Sequence, residues 1–386
     1  MKKKVCYKES KGSKILLLAA GVFLLASSLP VSVHAGWFDV IAEKAAQSVQ
    51  SIQQYTKGQL EKMKSTEIKV CFAGEKKDFA NGTLSGFQQE HSKIKVNLYF
   101  DGSGKMMDDL NKSNTQGCDV VSPASTASAL LYEDFDKGKV QYLFYSPTVL
   151  VTTKKKANAM KAFLSEDITL NNISKVANKR WSAIAPDSKL KGKNRGAFTD
   201  PSKSNSGLSV IMTRAYAYFD AFEPLSPDQL EDQGFQTAMQ DFWKNIKHSA
   251  TSTRKLTDAF SPSSARYSFI FTYENMVPEL ADRFGKDLFV IYPEYAVMND
   301  HPVWIVTSDP DKKMAAQAYI DYMLSPAVQE VATKKYAFRP ANPEVKISLR
   351  LSASSWFNLE VGIVDLPKDS GHLDDIIKIA NGDWEK

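Results

Sequence analysis

The chain has 386 residues, 43% of them apolar and 11% aromatic, enough to bury one large core or two ordinary ones and too apolar for a disordered polymer. The formal net charge is +5, yet six lysines and a single acid, Glu9, fall within residues 1–35, leaving 43 basic and 43 acidic residues beyond them. That balance argues against a nucleic-acid binder or a membrane-surface binder.

The N-terminal lysines precede an apolar run from Ile15 to Ala26, and Val33-His-Ala35 fits the small-x-small rule of signal peptidase. Residues 1–35 therefore read as a signal peptide cleaved after about Ala35. The run is short for a membrane span of roughly 20 residues, and Pro30 interrupts its continuation. Export places the protein in the periplasm. Cys6 leaves with the leader, and the two remaining cysteines, Cys71 and Cys118, suggest one disulfide in an oxidising compartment, with two buried free thiols as the alternative.

Residues 36–65 read as an amphipathic helix, with Phe38, Ile41, Ala45, Val49, Ile52, Tyr55 and Met63 on one rough stripe. It docks on the body or serves as an arm for a partner. From Thr66 the pattern changes to alternation. Ile68–Ala73, Lys95–Phe100 and Cys118–Val121 read as strands. A helix carrying Phe79, Leu84 and Phe87 follows the first, and one carrying Met106, Met107 and Leu110 follows the second. Small polar loops stand between strand and helix: Gly74-Glu-Lys-Lys, Asp101-Gly-Ser-Gly and Ser122-Pro-Ala-Ser-Thr. Repeated βα units predict a parallel sheet that binds ligands off the strands' carboxyl ends.

Val140–Thr152 is a long β-rich stretch expected to break at Ser146-Pro147, where the chain passes from one lobe to another. The lysine-rich residues 153–195 read as surface helices and loops. Gly196–Thr199 reads as a strand, and the helix after it places Leu208, Ile211, Met212, Ala215 and Phe219 on a stripe. Between them lies Asp200-Pro-Ser-Lys-Ser-Asn-Ser-Gly207. Its serines and asparagine suit a capped helix start, or a seat for an anion or other polar ligand at the positive end of the helix. Leu225–Lys247 is helical, and Ser249–Thr253 is another small polar loop. Tyr267–Thr272 is a strand leading into Tyr273-Glu-Asn. Leu288–Tyr292 mirrors the earlier passage, and Val303–Val306 with the helix near Met314–Leu324 returns the chain to the first lobe.

Motifs for catalysis and metals are missing from the sequence. No HExxH, CxxC or G-x-S-x-G occurs, and the four histidines after residue 35 are widely spaced. Gly102-Ser-Gly-Lys105 lacks the full phosphate-loop spacing, and Met106 stands where Ser or Thr is required. Tyr292 and Tyr295 read as packing residues rather than ferric ligands. No metal and no cofactor is expected.

Taken in order, Gly74-Glu-Lys-Lys, Cys118-Asp-Val-Val-Ser-Pro-Ala-Ser, Tyr145-Ser-Pro-Thr-Val-Leu, Thr199-Asp-Pro-Ser-Lys-Ser-Asn-Ser-Gly, Tyr273-Glu-Asn, Ile291-Tyr-Pro and Phe338-Arg-Pro-Ala-Asn-Pro resemble type 2 periplasmic solute-binding proteins. These are substrate-capturing subunits of ABC importers. The branch resembled includes phosphate-, sulfate- and molybdate-type binders and domains fused to von Willebrand A modules. The resemblance implies a two-lobed α/β fold, each lobe a mainly parallel sheet flanked by helices, joined by two crossover strands. Residues 66–146 plus 293–345 would form lobe 1, residues 147–292 lobe 2, and residues 346–386 a segment packed on them. It implies capture of a small polar solute by hinge closure, delivery to a membrane ABC permease, a monomer, and no enzyme. A ligand-sensing module for an envelope partner and an exported enzyme are the alternatives. Carried over by position, the ligand contacts would be Glu75, Ser103, Ser125 and Ser146 from lobe 1. Lobe 2 would supply Ser204, Asn205, Ser206, Arg254, Tyr273 and Glu274. Two carboxylates, Glu75 and Glu274, are unexpected beside an oxyanion unless a lysine or arginine such as Lys76 or Arg254 neutralises them.

Overall fold

A computed structural model describes residues 57–112, 117–262, 266–348, 354–367 and 369–384. The expected signal peptide and most of the expected amphipathic helix lie outside them. In chain order the helices and strands are α1 (Lys57–Lys62), β1 (Thr66–Ala73), α2 (Lys77–Glu90), β2 (Ile94–Asp101), α3 (Ser103–Asn111), β3 (Val120–Ser122), α4 (Thr126–Ala129), β4 (Gln141–Tyr142) and β5 (Phe144–Thr153). Then come α5 (Lys154–Leu164), α6 (Trp181–Ile184), β6 (Gly196–Thr199), α7 (Asn205–Tyr218), α8 (Pro227–Glu231), α9 (Gln233–Asn245), β7 (Lys247–Ala250), α10 (Thr253–Ala259) and β8 (Phe269–Tyr273). The rest are α11 (Val277–Phe284), β9 (Leu288–Ile291), β10 (Met298–Asn299), β11 (Pro302–Ile305), α12 (Pro310–Leu324), α13 (Pro326–Tyr336), β12 (Arg339–Pro340) and α14 (Gly371–Asn381).

Two mixed sheets organise the two lobes. The first has the order β2-β1-β3-β11-β4, with β2, β1 and β3 parallel and β11 antiparallel to both its neighbours. Its βα units form because apolar alternation gives way to a helical period at each polar turn. Phe79, Ala80, Thr83 and Phe87 thus face inward along α2. The second sheet runs β10-β5-β8-β6-β7, with β9 and β12 also paired to β5. Strands β6, β7 and β8 are parallel, and β5 runs antiparallel to β8. Each sheet is therefore mainly parallel, as expected, with a single strand running against the others, β11 in the first and β5 in the second.

The crossover differs from the sequence expectation. The ladder does not break at Ser146-Pro147. Those residues pair with Asn299 and Met298, and the interruption falls at Leu143, between β4 in the first sheet and β5 in the second. The first nine residues of β5 are buried.

Residues 153–195 also depart from a surface role. Met160, Ile173, Val176, Trp181 and Ile184 are buried in the second lobe's core with Phe198, Phe235 and Phe242. Lysines on the outer face mask the apolar positions between them. Helix α7 begins at Asn205, three residues before the first apolar position of the stripe, and is buried on all sides through Ala217. Sheet residues pack on one flank, and α9 and α14 on the other. From α14, Leu373, Ile376 and Ile379 enter the same core.

Candidate ligand-binding cleft

The carboxyl ends of β1, β2 and β3 in one lobe face those of β6, β7 and β8 in the other. Backbone meets backbone across this line. A Cβ on Gly104 would lie 2.6 Å from the Ser202 carbonyl oxygen, and one on Gly102 would strike the Lys203 carbonyl. Only glycine allows that approach. The space left beside Ser103, Ser204, Asn205, Thr253 and Tyr273 is about 10 Å³, room for one water at most.

Asn205, the first residue of α7, is the hub. Its Oδ1 accepts from the Ser125 hydroxyl and, at 2.5 Å, from the Ser128 hydroxyl, both on the other lobe. Its Nδ2 donates to Asn299 Oδ1 at 2.6 Å and to the Tyr273 hydroxyl at 3.1 Å. Asn299 is held in turn by Ser209 and by the Ser146 carbonyl. Ser206 shares its hydroxyl with Thr199 and Thr253, each at 2.8 Å. Ser204 occupies the N-cap position, but its side chain makes no cap bond, so the positive end of α7 opens on the cleft without the usual capping hydroxyl. Ser103 accepts from the Ala124 amide across the neighbouring strand end. All these side chains are neutral and buried. Burial, with Glu75 nearby, raises the Tyr273 hydroxyl well above its ordinary value, so it stays protonated.

Of the remaining expected contacts, Glu75 and Arg254 also line this space, whereas Ser146 and Glu274 do not. Ser146 turns its hydroxyl toward Asn275. Arg254 is a partly exposed rim residue that joins Asp78 of lobe 1 to Glu279 and Asp258 of lobe 2. Glu274 is fully buried in a two-pronged pair with Arg339, at 2.8 and 2.6 Å, and accepts a third bond from Tyr292. Its cation is thus Arg339 and not Arg254, and Tyr292 is a hydrogen-bond donor to that pair. Glu75 pairs with the buried Lys76 at 3.2 Å. Neither carboxylate faces the cleft as a free charge. Among the described residues there is no group of three His, Cys, Asp or Glu that could hold a metal.

Behind Glu75, Lys76 also donates to the Pro123 carbonyl at 2.9 Å and to His301 Nδ1 at 3.0 Å. His301 Nε2 is buried and has no partner among the described residues. Burial pushes the Glu75 carboxyl up, but Lys76 and His301 outweigh it and hold it at about 2. Burial, reinforced by the Lys76 charge, pushes His301 down from 6.5 to about 4. The unfolded imidazole takes a proton near 6.5 while the folded one resists it, so this contribution to stability is complete above pH 6.5 and is lost as the pH falls toward 4. The melting temperature of the wild type should therefore fall more steeply between pH 6.5 and 4 than that of His301→Asn, asparagine being tolerant of the positive φ at this site. Equal slopes would rule the histidine out.

Ser128, Ser209 and Asn299 were not among the expected contacts. Ser128 and Ser209 stand one helical turn beyond Ser125 and Asn205, a spacing that puts them on the same face. Asn299 carries no comparable cue, because β10 is only two residues long.

Comparison with known proteins places this geometry in a family. The family model for bacterial extracellular solute-binding proteins matches residues 68–339. The sulfate-binding protein of Escherichia coli (strain K12) is 29% identical over 152 residues, 38% of this chain, and that of Salmonella typhimurium is 27% identical over the same length. The match spans 44% of the length of each of these relatives. Among solved structures, iron-bound HitA from Pseudomonas aeruginosa aligns with a TM-score of 0.59 at 13% identity, over 82% of this chain and 99% of that one. The sulfate-binding protein SubI from Mycobacterium tuberculosis aligns at 0.55 and 14%, over 80% and 96%. With the two-lobed fold shared and most of the chain matched by one family model, the protein belongs to the bacterial extracellular solute-binding proteins.

Proposed function

We propose that the protein captures a small oxyanion between its lobes, outside the cytoplasm, and hands it to a membrane ABC permease without chemical turnover. The observation that carries this reading is the neutral, buried set of donors around Asn205 and Ser206 at the start of α7, with the carboxylates around it already engaged: Glu75 by Lys76, Glu274 by Arg339, and Asp101 by the Tyr99 hydroxyl and the Gly102 amide. An anion gains from hydroxyl and amide donors fixed at a positive helix end, and meets no uncompensated negative charge there. The donors that now bridge the lobes through Asn205 are the ones a ligand would take over, so binding and closure are one event. Sulfate is the first probe, given the name of the curated relatives. Sulfate should raise the melting temperature of the wild type, since it stabilises only the folded state. Loss of one charge-assisted hydrogen bond in Ser206→Ala or Asn205→Ala should weaken binding by about tenfold or more. If a panel of tetrahedral oxyanions leaves the wild type unshifted, or if both variants bind as well as wild type, the cleft does not hold an anion in this way.

A further inference from the structure

Beside the cleft, between the same two lobes, a hollow of about 330 Å³ stays open. Glu75, Asp78 and residues 333–338 line it from lobe 1, and Arg254 with several residues between 275 and 282 from lobe 2. Glu75 and Arg254 also line the cleft, so the two spaces adjoin. The floor of the hollow is buried: Thr333 and Phe338 are each 1% exposed, Met276 4% and the Glu75 side chain 5%. Trp356 forms part of the wall, and it lies beyond residues 68–339, the stretch that the family model matches. This wall is therefore an addition to the shared fold.

Three polar groups here have bonding capacity left over. The contacts of Glu75 with Lys76 and His301 both fall on Oε1, and Oε2 accepts from no other described residue. Asn275 uses Oδ1 to accept from the Ser146 hydroxyl at 3.1 Å, and its Nδ2 donates to no described residue. The Thr333 hydroxyl accepts from the Ser348 amide at 2.9 Å and donates to no described residue. Leaving such groups unmet at this depth is costly. The fixed charges nearby are already compensated, Glu75 by Lys76 and Arg254 by Asp78 and Glu279. A second formal charge on the occupant would gain little here. A hydroxyl, which both donates and accepts, matches an unused carboxylate oxygen, an amide and a hydroxyl. Phe338 and Trp356 offer apolar surface to the carbon skeleton between such hydroxyls.

We infer that the hollow holds the organic part of the solute, an inference that rests on the oxyanion seat proposed for the start of α7. The ligand is then a phosphate or sulfate monoester of a small polyol. Its oxyanion sits at Asn205 and Ser206, and its hydroxyls meet Glu75, Asn275 and Thr333. The bridge from Arg254 to Asp78 stands where the two spaces adjoin, and it parts with the lobes to let one molecule span them. The test is calorimetry on the full chain. Glycerol 3-phosphate, glucose 6-phosphate and glucose 6-sulfate are compared with inorganic phosphate, sulfate and free glucose. At least one ester should bind at least about tenfold more tightly than its inorganic anion, the scale of one hydrogen bond to a charged group. Whether a phosphate or a sulfate ester binds the tighter assigns the head group. That ester should weaken by about tenfold in Trp356→Ala, in Asn275→Ala or in both, while the inorganic anion binds as it does to wild type. The second variant keeps the comparison available should the first melt early. Inorganic anions that bind as tightly as every ester overturn the hollow's role and leave the oxyanion seat standing. So does an ester preference that survives in both variants. Wild type that binds neither esters nor inorganic anions overturns the seat and the hollow together.

Discussion

Arg339→Met is expected to lower the unfolding free energy by about 3–5 kcal/mol, the usual result of removing one partner from a buried ion pair. Arg339 is completely buried. Besides Glu274, it donates to the carbonyls of Leu359 at 2.9 Å and Asn358 at 2.5 Å. It thus ties β12, the turn after β8 and the chain beyond residue 354 together. Methionine leaves the Glu274 carboxylate in an apolar site with only the Tyr292 hydroxyl. The double variant Arg339→Met/Glu274→Met should regain a large part of the loss, since the cost lies in the orphaned charge more than in the missing pair. Urea titrations of the three variants decide it. A single variant that loses under about 1 kcal/mol, the level of an exposed pair, would show the charge is not truly sequestered.

Breaking the disulfide is the second large effect. Cys71 and Cys118 are bonded, with Cα atoms 5.9 Å apart and a sequence separation of 47. In the chain-entropy account, closing a loop of that length restrains the unfolded ensemble by about 4 kcal/mol. The bridge anchors β1 to the approach of β3, its parallel neighbour, so the native sheet is already aligned without it. Cys71→Ser/Cys118→Ser, or wild type in reductant, should show the lower midpoint with an unchanged fold by circular dichroism. Midpoints that coincide with and without reductant would mean that the folded sheet alone restrains these strands.

The first lobe was the more legible in sequence. α2, β2 and α3 each bury one face, so alternation and the helical period survive in the apolar pattern. The second lobe was harder where burial is two-sided. Helix α7 has no polar face to mark its phase, and Met160 and Trp181 are screened in sequence by lysines that cover the outside. Ser146-Pro147 looked like a break because proline removes a donor, whereas the ladder there needs only the two residues of β10. Within the cleft, Ser125, Asn205, Ser206 and Tyr273 were named through the family resemblance, on polar turns after strands. Asn299 was not, and neither was the pairing of Glu274 with Arg339, 65 positions away. A partner that distant is fixed by topology, which no local pattern encodes.

The two glycines at the lobe boundary have a consequence for how the protein reports what it holds. Peptide carbonyls, unlike side chains, cannot rotate out of the way, so the meeting of Gly102 and Gly104 with the Lys203 and Ser202 carbonyls is a fixed end-stop. The stops set the tightest angle the lobes can reach, and with them met about 10 Å³ is left in the cleft. An oversized solute leaves the stops apart, and an undersized one leaves voids that weaken its grip. The outline offered to a partner therefore follows the size of the solute once the stops part, and the backbone fixes only its lower bound.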